Sequence, residues 1–181
     1  MRVRIPFEGR LGAAAALFGA TLAWRLLTFT GFTNDHYASL ALAQQVLLGD
    51  RPVRDFADPG WPLTYAISAA AWRVWGDAMW VEWLVTAAAL ALGAAFTVAA
   101  ARRLSASTTI AVLIGSCEIL MSPRTYAYPK ILPYAAFAWF ITAGAAPSTR
   151  RLAALGLLIA IAFLLRHDHG VWIGMAAAAY V

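Results

Sequence analysis

The sequence has few charged residues and almost no cysteine. Charged side chains make up 13% of the 181 residues, and Cys117 is the single cysteine. The low charge excludes an ordinary soluble domain and a disordered chain, because 62% of the residues are hydrophobic and one core of this size would not bury so much apolar surface. A lone cysteine excludes a disulfide scaffold. The class that remains is an integral membrane protein built from helices.

Acidic residues are scarcer than basic ones, 9 against 14, and the net charge is +5. The basic residues form no patch: they occur in ones and twos between apolar runs, and all except Lys130 are arginine. This distribution is typical of topology signals and not of a nucleic-acid surface. We therefore expect membrane lipid, and no nucleic acid, as a partner.

The apolar runs predict an all-α, polytopic transmembrane fold in a single domain, residues 1–181. A short run is compatible with a half-helix or with one arm of a re-entrant hairpin. The last run is too short to cross a bilayer, so we expect the chain to be incomplete at its C-terminus and to continue in a longer protein. The predicted spans are 11–32, 80–101, 105–121, 131–146 and 152–165, with the start of another at 171.

The positive charges predict the orientation of these spans, because cytoplasmic loops carry an excess of arginine and lysine. With the N-terminus in the cytoplasm and each run crossing once, seven arginines fall inside, and of the nine acids only Glu8 does. The segment 33–79 then becomes an outer loop. The seven arginines are Arg2, Arg4, Arg10, Arg102, Arg103, Arg150 and Arg151.

The outer loop begins with a helical pattern of its own. Thr33 or Asn34 is a favourable N-cap, an apolar stripe follows at helical spacing from Tyr37, and Gly49 is placed to end the helix. The pattern predicts an amphipathic juxtamembrane helix with Asp35 in its first turn.

A proline-rich segment and a second amphipathic helix follow. The prolines and glycine of 50–62 predict an irregular loop in which Asp55 and Asp58 act as turn formers. The run 63–76 is too short to span the bilayer and lies among tryptophans, which prefer the headgroup level. We expect this helix to lie along the outer membrane interface.

These elements, in this order, resemble the first extracytoplasmic loop of the GT-C superfamily of glycosyltransferases, which includes protein O-mannosyltransferases and lipid A aminoarabinose transferases. The likeness covers roughly residues 10–105. It lies in an Asp-x-x-Tyr-like start (Asp35 to Tyr37), a helix that ends in Leu-Leu-Gly-Asp (47–50), a Pro-x-x-Asp-Phe element (52–56) and a proline-rich entry to a second helix (59–76). The segment 166–170 is similar to a polar junction of bacterial members.

The resemblance implies a reaction and a place. A sugar moves, with inversion, from a polyprenyl-phosphate donor to an acceptor at the outer face of a bacterial inner membrane. The family's catalytic acid matches Asp35, whose implied role is that of general base. The helix macrodipole stabilises the carboxylate of Asp35 and weakens it as a base, so positioning must supply more of the catalysis. The leaving phosphate needs positive charge, for which Arg124, Lys130 and Arg166 are candidates.

The sequence departs from the family at one point. Several members carry a second acid between the third and fourth spans, sometimes for a metal, but the segment 122–133 contains none. Glu118 is the nearest acid. It is compatible with two roles, that of the second acid and that of a partner for Arg25, which also lies inside an apolar run. A divalent metal is therefore unassigned, and no other cofactor is indicated.

The segment His167-Asp168-His169 carries residue types that bind metals. Adjacent side chains on a helix point about 100° apart, so these three residues do not by themselves form a closed metal site. A polar cap at the membrane interface and a contact with the donor headgroup are the other two interpretations, and the second makes all three residues candidates for substrate binding.

Two other classes of function compete with the transferase. Charged residues inside apolar runs are also typical of transporters and channels, and so are short apolar runs. A membrane subunit without catalytic activity fits the composition as well. Against a transporter, the longest ordered polar segment is an outer loop and not a set of residues at mid-membrane depth. For the transferase, we expect activity from the full-length protein and not from these 181 residues alone.

Overall fold

The computed structural model describes residues 8–121, 128–144 and 148–180. Within these ranges the fold is all-helical, with eight helices and no strand, as the sequence predicts. The helices are α1 (Glu8–Thr28), α2 (Asn34–Leu48), α3 (Pro62–Trp75), α4 (Met79–Ser105), α5 (Thr108–Leu120), α6 (Tyr128–Ile141), α7 (Thr149–Leu165) and α8 (His167–Tyr180).

The central helix, α4, has 27 residues, and its most apolar stretch of 18 residues has a mean hydropathy of 2.1. It is the one helix in the described part of the chain that is long and apolar enough to cross a membrane. Helices α1, α3, α5 and α6 pack against it. Small side chains allow this close approach: Ala91 and Ala94 are buried, and a Cβ on Gly93 would meet the side chain of Ile131 on α6.

Helices α2 and α3 form a small layer against the start of α4. Leu40 of α2, Tyr65 and Trp72 of α3 and Val81 of α4 share one buried cluster. The end of α2 is confirmed at Gly49, which has a φ of +101° and whose N–H bonds back to the carbonyls of the last turn. At the other end, Thr33 occupies the N-cap position in an extended conformation, but its side chain makes no capping hydrogen bond.

The segment 166–170 differs from its predicted role as a polar junction between two runs. The helical conformation is interrupted only at Arg166, which is extended, and α8 begins at His167. An acid in a first helical turn interacts favourably with the helix dipole, and Asp168 Oδ1 also accepts a hydrogen bond from His169 N at 3.0 Å. These interactions explain why α8 starts before the apolar run does.

Successive long helices run in alternating directions, so that their ends gather at two poles of the bundle. At one pole, Arg103 donates to the carbonyl of Trp139, and Arg151 donates to the carbonyl of Phe140 and to Tyr180 Oη. At the other pole lie α2, α3, the first turn of α4 and the turn between α7 and α8. We call the first pole, which carries Arg103 and Arg151, the arginine pole, and the second carries the segment 33–79 together with Arg166.

Candidate functional site

A pocket opens at the pole opposite Arg103 and Arg151. It lies between the first turn of α2, the start of α3, the start of α6 and the turn between α7 and α8. Its empty space, counted with its open mouth, is about 470 Å³. The lining residues are Asp35, His36, Ser39, Trp61, Thr64, Tyr128, Pro129, Leu165 and Arg166.

Asp35 is exposed and contributes the one carboxylate among these lining residues. It lies in the first turn of α2. Ser39 follows one helical turn later on the same face, and its buried hydroxyl has no hydrogen-bond partner among the described residues. The pocket therefore combines a carboxylate that solvent and substrate can reach with a polar group that has hydrogen-bonding capacity left.

Arg166 enters the same pocket from the far end of the sequence. Its Nε donates to Asp168 Oδ1 at 3.0 Å, and its guanidinium lies 5.8 Å from the centre of the Trp61 ring. The side chain remains about one-third exposed. The fold thus brings together the predicted base and one of the three predicted phosphate ligands.

Hydrogen bonds between distant segments hold the turn at Arg166 against the loop around Gly60. His167 N donates to the carbonyl of Gly60 at 2.9 Å, and Thr64 Oγ1 donates to the carbonyl of Leu165 at 2.8 Å. On the loop side, Asp58 Oδ1 accepts from Gly60 N at 2.8 Å, which confirms Asp58 as a turn former. The pocket is therefore built on a fixed contact between the first and the last thirds of the chain.

Asp55 is the other predicted turn former, and its contacts confirm that role. Its carboxylate accepts a hydrogen bond from Arg51 N at 2.8 Å and pairs with the neighbouring Arg54. The Arg54 guanidinium and the Arg51 N–H bond lower the pKa of Asp55 below its usual value. Since both partners lie within the loop, Asp55 stabilises the loop and does not reach the pocket lining.

Substituting Gly60 with alanine is expected to separate the loop from the turn at Arg166. Gly60 has a φ of +98°, and a Cβ there would lie 2.8 Å from His167 Nδ1, on a ring that stacks against Phe163. Gly76 provides a matched control, since its φ is +89° but a Cβ would meet nothing within 4 Å. Both variants carry backbone strain of about 1–3 kcal/mol. Gly60→Ala should unfold at a lower temperature than Gly76→Ala, and equal melting temperatures would show that the His167 contact contributes nothing.

At the base of the pocket, a histidine and a glutamate form a buried hydrogen bond. His36 Nε2 donates to Glu82 Oε1 at 2.7 Å, and the two side chains are 3% and 1% exposed. Tyr128 lies close enough to Glu82 that the carboxylate raises the tyrosine pKa, although burial is the larger cause. Neither His36 nor Glu82 is among the site residues predicted from the sequence.

The predicted cluster 167–169 faces several different partners. His167 stacks on Phe163 with 4.3 Å between ring centres, and His169 Nδ1 and Tyr134 Oη are hydrogen-bonded at 3.1 Å. Asp168 bonds to Arg166. In the part of the chain that the structure describes, no three His, Cys, Asp or Glu side chains are grouped as metal ligands.

The charges at the start of α8 affect one another. Partial burial raises the pKa of Asp168, but the charges of His169 and Arg166 and its hydrogen bonds outweigh this, and the net pKa is below its usual value. Burial lowers the pKa of His169, and the charges of Arg166 and Lys130 lower it further against the opposing effect of Asp168. His169 is therefore predominantly neutral near pH 7.

The remaining predicted residues lie in three different places. Lys130 follows Pro129 at the edge of the pocket, close enough for its charge to act on His169. Arg124 lies outside the described residues. Glu118 lines a separate small cavity with Arg25, with which it interacts electrostatically, and not the pocket of Asp35.

One signal in the sequence points to Glu82. It is an acid in the first turn of the longest helix, whose other residues are mostly apolar. Charged residues inside apolar runs are costly and mark functional sites by default. The partner is harder to find, since nothing in the sequence pairs residue 36 with residue 82. Comparison of the chain with protein-family models, with curated proteins and with solved structures finds no match.

Proposed function

We propose that this protein is a polytopic membrane glycosyltransferase of the GT-C type. It transfers a sugar from a polyprenyl-phosphate donor to an acceptor at the outer face of the membrane, with inversion. The observation that carries this proposal is the shared pocket of Asp35 and Arg166, which joins one carboxylate to one guanidinium from distant parts of the chain. A base and an anion ligand in one cleft are what a transfer from a phosphate leaving group requires.

Asp35 acts as the general base in the proposed reaction. Its carboxylate takes the proton from the acceptor hydroxyl while the acceptor oxygen forms a bond to the anomeric carbon. The bond between the anomeric carbon and the phosphate oxygen breaks, and its electron pair leaves with the polyprenyl phosphate. Because that leaving group is already a stable anion, no general acid needs to protonate it, in contrast to glycoside hydrolysis.

Arg166 binds the phosphate of the donor. A guanidinium matches the geometry of phosphate oxygens and stays charged. Trp61, Pro129 and Leu165 supply aromatic and apolar surface to the same pocket. Such surroundings strengthen an ionic contact because they exclude water. Lys130 and the neutral His169 add polar groups beside the same position.

Exposed apolar surface supports a membrane location with several spans. Large apolar side chains lie exposed on α1, α5, α7 and α8, and exposed apolar patches mark surfaces that contact protein or membrane. The pole of Arg103 and Arg151 would then face the cytoplasm and the pocket the outer side, which is the orientation predicted from the arginines that flank the apolar runs. These side chains include Trp24, Leu27, Ile110, Leu113, Leu157, Ile161, Val171, Trp172 and Met175.

Replacing Arg166 with glutamine is expected to lower kcat/KM for the lipid-linked donor by about 10- to 100-fold, the equivalent of losing one hydrogen bond to a charged group. The assay uses the intact protein in proteoliposomes with undecaprenyl-phosphate-linked mannose, glucose and aminoarabinose. Arg150→Gln, at the exposed arginine pole, is the matched control and should keep the parental value. If both variants keep it, Arg166 is not the phosphate ligand.

A further inference from the structure

The pair of His36 and Glu82 has features that simple packing does not require. Both side chains are almost fully buried, and the His36 ring also stacks on Phe32 with 4.1 Å between ring centres. Glu82 Oε2 is buried and has no hydrogen-bond partner among the described residues. Burying such a pair in the first turn of an apolar helix costs free energy that apolar side chains of the same size would not.

The pair links the first turn of α2 to the bundle. The other described hydrogen bonds of that turn are local, from the N–H groups of His36 and Tyr37 to the carbonyl of Thr33. Farther along, α2 is held by apolar packing of Leu40 and Ala43 against α3. Apolar contacts are non-directional. The hydrogen bond from His36 to Glu82 is directional and fixes the rotation of this turn about the helix axis.

The rotation of this turn decides where Asp35 points. Adjacent residues on a helix are about 100° apart, so a His36 side chain fixed against α4 leaves the Asp35 carboxylate on the face that lines the pocket. Ser39 lies on that same face one turn later and also lines the pocket. A small rotation of α2 would move both groups relative to Arg166.

We propose that His36 and Glu82 are positioning residues, which hold the first turn of α2 so that the Asp35 carboxylate faces Arg166 across the pocket. The proposal rests on the proposed function for its effect on catalysis, but the geometric claim stands without it. Neither residue reacts with substrate. They act through Asp35, whose misplacement by about 1 Å costs a large factor in rate.

A double-substitution cycle separates positioning from packing. His36→Phe keeps the stacking on Phe32, and Glu82→Leu removes the carboxylate. Each single variant is expected to lose stability, while the double variant recovers the parental melting temperature because no buried charge is left unpaired. Its kcat should remain reduced by about 10-fold with KM unchanged, because the direction of the contact is lost. His36→Gln, which keeps a donor toward Glu82, should retain more of kcat than the double variant.

A second readout does not depend on the reaction. Cysteine replaces Asp35 in a Cys117→Ala background, and its alkylation rate by a charged, membrane-impermeant maleimide is measured with and without the His36→Phe/Glu82→Leu pair. The rate at residue 35 should change several-fold, while cysteine at Asp50, beyond the other end of α2, should react at an unchanged rate. Gln44→Ala, exposed on α2, serves as the control that alters neither rate nor kcat.

The outcomes distinguish the two proposals. Unchanged alkylation at residue 35 in the double variant overturns the positioning role, whatever the activity. If the double variant keeps the parental kcat, the claim that the pair of His36 and Glu82 affects catalysis is overturned. Changed alkylation in a protein that transfers none of the three lipid-linked sugars supports the positioning of residue 35 and removes the proposed function instead.

Discussion

Replacing Asp35 with asparagine is expected to lower kcat for sugar transfer by a factor of about 10²–10⁴, the usual contribution of a general base. Asparagine has nearly the same size and shape but does not accept the proton of the acceptor hydroxyl. Because Asp35 is exposed and in a first helical turn, the substitution should leave the fold intact. The measurement is the initial rate with saturating lipid-linked sugar in proteoliposomes.

Asp50→Asn is the matched control for this substitution. Asp50 is an exposed acid just beyond the C-terminal end of α2 and does not line the pocket. It should retain full activity, and both variants should insert into membranes as the parent does. If Asp35→Asn transfers sugar at the parental rate, Asp35 is not the base, and a transporter or a membrane subunit without catalytic activity becomes the better interpretation.

Replacing Gly170 with alanine is expected to lower the free energy of unfolding by about 1–3 kcal/mol or more, the usual cost of overpacking. A Cβ at this position would clash with Cα and Cβ of Phe163 and lie 2.6 Å from its backbone nitrogen. Backbone atoms have no alternative rotamer to adopt, so α8 must move away from α7. The turn between these helices carries Arg166, and we therefore expect sugar transfer to fall together with stability.

Gly174→Ala on the same helix tests the packing explanation. A Cβ there would lie 3.6 Å from Ile159 Cγ2, which is an ordinary contact. Since alanine is the better helix former by about 1 kcal/mol, this variant should be as stable as the parent or more so. Thermal unfolding in detergent compares the two, and equal melting temperatures for Gly170→Ala and Gly174→Ala would contradict the close packing of α7 and α8.

The helices themselves could be predicted from the sequence because their signals are local. Apolar runs locate α4, α5, α6 and α7 to within a few residues, and Gly49 ends α2 as its backbone freedom suggests. The start of α8 is not visible in the apolar run, which begins at Val171, because Asp168 and its hydrogen bonds extend the helix back to His167. Polar interactions at a helix end are not visible in hydropathy.

The site was predictable only in part. Asp35 and Arg166 were named from a resemblance and from their charge, and the structure places them in one pocket. That the 166–170 segment would bond to the loop around Gly60 was not predictable, because it depends on how α7 returns to the pole of α2. The pairing of His36 with Glu82 was missed for the same reason: contacts between distant segments leave no periodic pattern in the sequence.

The measurement that tests the central claim most directly is a map of which residues face the outside of the cell. Single cysteines replace Val53, Asp168, Leu104 and Arg150, all exposed positions, in a Cys117→Ala background. An impermeant maleimide is then added to intact cells. If the pocket of Asp35 and Arg166 faces outward, residues 53 and 168 should be labelled in intact cells. Residues 104 and 150 should be labelled only after the membrane is opened. Labelling of intact cells at 104 and 150, with protection of 53 and 168, would place the pocket in the cytoplasm and contradict transfer at the outer face.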